Sequence, residues 1–169
     1  RSPRRLIPKK LAKGTMLSPA DGIVSVIEFQ DYHEAVRGKA VLIRIFLSVL
    51  NVHINRMPCD CRVQDIRYVK GKFLDARLEE SAKVNESNLI ILEYGTHSIG
   101  LRQVSGKLAK RIICKAKIDE FHKQGDQFGM ITLGSTTELI LPDIDDVSLL
   151  VEQGQYVRGG LTPLAKVGN

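Results

Sequence analysis

The sequence predicts a β-rich fold, mainly β within an α+β class, built as a sandwich of two packed halves. Two observations carry this expectation. Between Phe128 and Pro142, the residues Ile131, Leu133, Thr137, Leu139 and Leu141 alternate along the chain, with Ser135 in the same phase. A period of two is that of a strand with one buried face. Elsewhere, short apolar runs are cut by turns containing Gly or Pro, the pattern of many short strands.

Residues 1–16 read as an extended basic arm holding Pro3 and Pro8. Ser18-Pro19-Ala20-Asp21-Gly22 is a turn, because Pro sets φ and Asp-Gly closes it. Ile23 to Phe29 reads as a strand and 31–39 as a polar loop. Val41 to Val49 is a run of branched residues long enough for a fully buried strand, interrupted only by Arg44. Asn51 to Pro58 is an irregular polar segment at its exit. Val63 to Val69 reads as a short strand, and a helical turn is expected around Ala76 to Ala82. Leu89 to Tyr94, Ile99 to Val104 and Leu108 to Lys115 read as three strands, with 117–127 a polar connection. Val147 to Val167 reads as short strands punctuated by Gly154, Gly159-Gly160 and Pro163. Residues 18–29 and 148–167 distantly resemble the hammerhead half-motifs of biotinyl and lipoyl carrier domains.

Composition narrows the class. At 169 residues the chain is one domain or two small packed halves, with 43% hydrophobic and 26% charged residues. It holds no apolar run of 18 residues, the length that would span a bilayer as a helix. Of 25 basic residues, Arg1, Arg4, Arg5, Lys9, Lys10 and Lys13 precede the first acid, Asp21. The remaining 19 basic residues balance the 19 acidic ones, so the +6 excess lies in the arm. Such an arm suits an anionic lipid surface. Nucleic acid finds no support in the body, which lacks a basic stripe interleaved with aromatics. Cys59, Cys61 and Cys114 have no zinc spacing and read as ordinary thiols of a reducing compartment.

The central alternation is broken at Gly134-Ser135, where packing would favour Val or Ile. Gly weakens a strand and often marks a close backbone approach, and an inward hydroxyl needs a partner or a task. Leu133-Gly134-Ser135-Thr136, Ser18-Pro19-Ala20-Asp21-Gly22 and Asn51-Val52-His53-Ile54-Asn55-Arg56-Met57-Pro58 together resemble the phosphatidylserine decarboxylases. The closer match is their short form, which includes archaetidylserine decarboxylases. Asn85-Glu86-Ser87-Asn88 and Phe128-Gly129-Met130 follow in the family's order, and the resemblance runs from Arg1 to Val167.

The resemblance implies a zymogen that cuts itself between Gly134 and Ser135 into 1–134, a beta chain, and 135–169, an alpha chain. Ser135 would attack the Gly134 carbonyl, the peptide would become an ester, and β-elimination would leave dehydroalanine. Loss of ammonia then gives a pyruvoyl cofactor on Ser135, an electron sink for decarboxylation of a serine head group, with no call for pyridoxal phosphate or a metal. His53 is the expected acid or base, Asp21 its orienting carboxylate or a base itself, and Thr136 or backbone amides the oxyanion donors. Longer relatives carry a second His where Arg56 stands; Arg56 is a candidate for the substrate phosphate or carboxylate. The expected product is phosphatidylethanolamine. The alternatives are a decarboxylase of another serine-headed lipid, archaetidylserine, and a non-catalytic biotinyl- or lipoyl-like binding module. Expected partners are the membrane surface, the protein's own two chains and a second copy in a homodimer. The expected location is peripheral, on the cytoplasmic face of a bacterial membrane, with a membrane-associating segment upstream of Arg1. The arm itself, residues 1–13, is expected to be dispensable for self-cleavage.

Overall fold

A computed structural model of the chain describes residues 3–108, 111–132 and 134–168. Arg1 of the arm, Leu133 of the central alternation and part of the strand expected from Leu108 lie outside the described residues. The chain runs β1 (Thr15–Leu17), β2 (Gly22–His33), β3 (Gly38–Leu47), β4 (Ile54–Arg56), β5 (Cys61–Val69), then a single turn of helix, α1 (Ser81–Val84). It continues β6 (Ser87–Tyr94), β7 (His97–Val104), β8 (Ile112–Cys114), β9 (Phe121–His122), β10 (Gln127–Ile131), β11 (Ser135–Pro142), β12 (Val147–Leu149), β13 (Tyr156–Val157) and β14 (Pro163–Val167). The β-rich expectation holds.

The strands form one eight-stranded sheet, ordered β13-β2-β3-β11-β7-β6-β5-β9, and two three-stranded sheets, β1-β14-β12 and β4-β10-β8. The break at Gly134-Ser135 separates β10 from β11. β10 belongs to a small sheet, whereas β11 sits between β3 and β7 in the middle of the large one. The long apolar run became β3 because a central strand is covered on both faces and has no need of polar alternation.

The same burial corrects the picture of β11 as a strand with one buried face. Thr137, Leu139 and Leu141 face the main core, which also holds Ile43, Ile45, Leu101 and Phe128. Ile140 joins a second cluster with Leu42, Leu89 and Ile91 on the other side. Glu138, on that second face, is fully buried. It is admitted because Arg44 Nε reaches its carboxylate at 2.8 Å and Arg102 lies at 3.4 Å. Arg44, the one charge interrupting the apolar run of β3, is there for Glu138. β9, two residues inside the expected polar connection, was too short to leave a periodic signal.

Candidate active site

The starts of β2 and β11 and the ends of β3 and β7 share one end of the large sheet, because these neighbours are antiparallel. Ser135 opens β11 there, opposite Leu47, the last residue of β3. Gly134 before it has φ +70°, the left-handed region that Gly occupies without a Cβ penalty. At this residue the chain leaves the small sheet and enters the large one. The Ser135 side chain is fully buried and its Oγ has no hydrogen-bond partner. Such a hydroxyl costs about 1–3 kcal/mol when buried, a cost that packing alone does not explain. Among the described residues, the other buried side-chain polar atoms without a partner are Ser105 Oγ, His53 Nε2 and His97 Nε2. His97 opens β7 at the far end of the sheet; Ser105 and His53 belong to the end that holds Ser135.

His53 is placed by two ties. Its carbonyl accepts a hydrogen bond from Ile131 N at 3.2 Å. Two residues on, Asn55 Nδ2 donates to Thr137 Oγ1 at 3.0 Å. His53 and Ser135 therefore each stand two residues from the same cross-link. The imidazole is hydrogen-bonded to the backbone of Ser48, the residue after β3. Burial pulls its pKa below the ordinary 6.5, and the Ser48 bond offsets this only in part. A neutral ring that carries its proton on the other nitrogen presents Nε2, which has no partner, as a free lone pair, the form a general base requires.

The cross-link is one link of a buried polar chain. Gln103 Nε2 donates to Asn55 Oδ1 at 2.9 Å, and Asn88 Nδ2 donates to Gln103 Oε1 at 3.2 Å. These satisfied amides fix β4, β7 and β6 against β11 beside Ser135. The motif Asn85 to Asn88 has the same office. Asn85 Nδ2 donates to the carbonyls of Leu74 and Ser105, each at 2.8 Å, and Glu86 O accepts from Ser105 N at 2.9 Å.

Asp21 lies just before β2, at the same sheet end, and is 4% exposed. Arg5 grips its carboxylate through two nitrogens, with Nη2 at 2.6 Å from Oδ2, and Gly159 N donates to Oδ1 at 2.7 Å. Arg5 also donates to the Gly159 carbonyl at 2.6 Å. The partners of Asp21 in this structure are thus Arg5 and Gly159, while the imidazole of His53 is held by Ser48. Arg56 is 6% exposed and donates to the backbone carbonyls of Gly125, at 2.9 Å, and Pro3, at 3.1 Å. Burial and the nearby charge of Arg5 lower its pKa. The arm is therefore docked: Arg5 binds Asp21, Pro3 binds Arg56, and the Ile7 side chain fills the space that a Cβ on Gly125 would occupy. Arg4, Lys9, Lys10 and Lys13 remain exposed.

Gly134 also lines an open cavity of about 480 Å3, together with Ser48, Val49, Arg77, Lys107 and Leu108. Its wall on one side is the loop that carries Asp75 and Arg77, which Asn85 ties down through Leu74. Arg77 pairs with Asp75 and holds that carboxyl at about 2. Of the lining residues Val49 and Leu108 are 52% and 62% exposed, and Leu50, next in the chain to Val49, is 92% exposed.

Sequence reading brought out Gly134, Ser135, His53, Asp21 and Arg56, and the first four converge on one sheet end. It missed Arg5, Ser105, Arg77 and Lys107. Gln103 and Ser105 did leave a signal, as polar residues continuing the inward phase of Ile99 and Leu101. Arg5 left none beyond its charge.

A family model described as phosphatidylserine decarboxylase matches residues 1–165. Several relatives carry the name phosphatidylserine decarboxylase proenzyme. That of Rhodopirellula baltica is 41% identical, over 98% of this chain and 69% of its own length. That of a Wolbachia from Brugia malayi is 40% identical, over 99% of this chain and 73% of its own. That of Carboxydothermus hydrogenoformans is 37% identical, over 99% and 77%.

Proposed function

The chain belongs to the phosphatidylserine decarboxylase family, and we propose that it is a proenzyme that cuts itself between Gly134 and Ser135 to become a pyruvoyl enzyme. The observation that carries this reading is the Ser135 hydroxyl, buried without a partner directly after a Gly at φ +70°. The residues fit the group that processing would leave there, since Oγ is both the attacking atom and the atom lost. In the first step Ser135 Oγ attacks the Gly134 carbonyl carbon while His53 Nε2 takes its proton. The resulting ester breaks when the Cα proton of Ser135 is removed. Gly134 departs as a carboxylate, and addition of water with loss of ammonia leaves the pyruvoyl group on the alpha chain.

That group supplies the electron sink through which CO2 leaves a serine head group. The chain's own residues bind and protonate. Arg77 and Lys107 line the cavity that reaches Gly134 and suit the phosphate and carboxylate of the substrate. Arg56 can serve an anion only by giving up its two backbone carbonyls. His53 returns a proton to the substrate carbon, and Asp21, held by Arg5 and Gly159, supports the same end of the sheet.

The membrane is reached in two ways. Arg4, Lys9, Lys10 and Lys13 meet anionic head groups, each worth about 1 kcal/mol near such a surface. The exposed apolar side chains of Val49 and Leu108, and of Leu50 next to Val49, lie beside the mouth through which a head group enters. On this reading the protein works peripherally, at the cytoplasmic face of a bacterial membrane. The test is CO2 release from mixed-lipid vesicles. Phosphatidylserine should be converted to phosphatidylethanolamine; conversion of archaetidylserine alone would move the assignment to the other lipid.

His53→Ala should slow self-cleavage about 10²–10⁴-fold, the usual contribution of a positioned base. The wild-type rate should hold through neutral pH and decline only as acid protonates a ring whose pKa lies below 6.5. The linkage sign follows from the same shift: the unfolded chain takes this proton first. The stability His53 contributes is therefore present above about 6.5 and lost as pH falls below it. Electrophoresis of cleavage time courses and melting curves across pH 5–8 check both parts.

A further inference from the structure

The last paired residue of β7, Val104, lies opposite Thr136 of β11. Continuing the antiparallel register by one residue sets Ser105 across from Ser135, and by two sets Gly106 across from Gly134. Two facts support that placement. A Cβ on Gly106 would overlap the carbonyl oxygen of Gly134, so this oxygen rests against the bare Cα of Gly106. Ser105 spends its backbone groups on the other side, its N–H on Glu86 O and its carbonyl on Asn85 Nδ2. A residue whose backbone bonds point away from a neighbouring strand meets that strand as a non-hydrogen-bonded pair, in which side chains come closest. The next pair on the same face, Thr137 and Gln103, shares Asn55 as a common partner. The Ser105 hydroxyl is fully buried and has no hydrogen-bond partner. Thr136, which the sequence offered as a donor beside backbone amides, projects from the opposite face, with Glu138.

We propose that Ser105 and Gly106 form the oxyanion pocket of the self-cleavage step, an inference that rests on the processing reading above. As Ser135 Oγ bonds to the Gly134 carbon, its proton passes to His53 and the carbonyl electron pair moves onto the oxygen. Gly106 leaves room for that oxygen, and Ser105 donates its hydroxyl proton in a hydrogen bond to it. Collapse restores the carbonyl, breaks the bond to Ser135 N, and that nitrogen takes the proton from His53. Ser105 keeps its own proton throughout. A donor with no partner before the reaction and one at the tetrahedral stage acts on the barrier alone.

Ser105→Ala in the full chain should slow cleavage about 10²–10³-fold, the usual loss for one oxyanion donor. Its melting temperature should stay level or rise, because an unpartnered buried hydroxyl has been removed. Ser105→Thr, which keeps the hydroxyl, should cleave faster than the Ala variant. Wild-type cleavage kinetics in Ser105→Ala would overturn the proposal. So would slow cleavage accompanied by a lowered melting temperature and no recovery with Thr, which would mark Ser105 as structural. A wild-type chain that never cleaves would overturn the processing reading itself, and the role of Ser105 with it.

Discussion

Ser135→Ala should leave a single uncut chain whose decarboxylase activity is at background. Oγ is the nucleophile of the acyl shift and the atom expelled in β-elimination, so no neighbour substitutes for it. Asn55 holds Thr137, two residues on, and not Ser135, so the local strand should persist without the hydroxyl. Removing an unpartnered polar atom from a fully buried site should, if anything, raise stability. The variant is therefore expected to melt at or above the wild-type temperature while failing to process. Loss of activity through misfolding predicts the reverse order of melting temperatures, so one melting curve separates the two causes. Two fragments from Ser135→Ala would exclude the proposed nucleophile.

Arg5→Ala should be the most destabilising change in the N-terminal arm. The ion pair with Asp21 is nearly out of solvent, with side chains 10% and 6% exposed. Removing one partner of such a pair leaves the other buried and uncompensated, at a cost of about 3–5 kcal/mol. For a domain of this size that lowers the melting temperature by about 6–20 °C. The same variant should process slowly, because Asp21, Gly159 and the start of β2 lose a shared clamp at the reacting end of the sheet. Arg5→Lys should recover only part of the loss, since an ammonium cannot make the two-pronged contact. Deletion of residues 1–13 removes Arg5 and Ile7 together and should mimic Arg5→Ala, contrary to the expectation of a dispensable arm. A melting temperature unchanged by Arg5→Ala would show the clamp to be idle.

What the sequence disclosed and what it hid divide along physical lines. Gly134-Ser135 stood out because a small residue and a hydroxyl interrupted an otherwise apolar alternation, a local defect visible without coordinates. The polar segment around His53 stood out at the exit of a run too apolar to be exposed. Hidden features depend on contacts distant in sequence. Glu138 looked like the solvent-facing phase of β11, and only pairing with β3 and β7 brings Arg44 and Arg102 to it. Arg5 read as one more charge in a basic arm, and its partner Asp21 read as a turn residue and as the carboxylate for His53, not for Arg5. The facing of Ser105 and Ser135 is a matter of register between β7 and β11, and no pattern within either strand specifies register with the other.

The central claim is a cut between Gly134 and Ser135 that converts the serine into a pyruvoyl group. Intact-mass measurement of the purified, denatured protein tests it most directly. The account predicts two chains, 1–134 ending in an ordinary carboxylate, and 135–169 lighter by one ammonia than plain hydrolysis would give. A single uncut mass, or a second chain that begins with an unmodified Ser135, would contradict it.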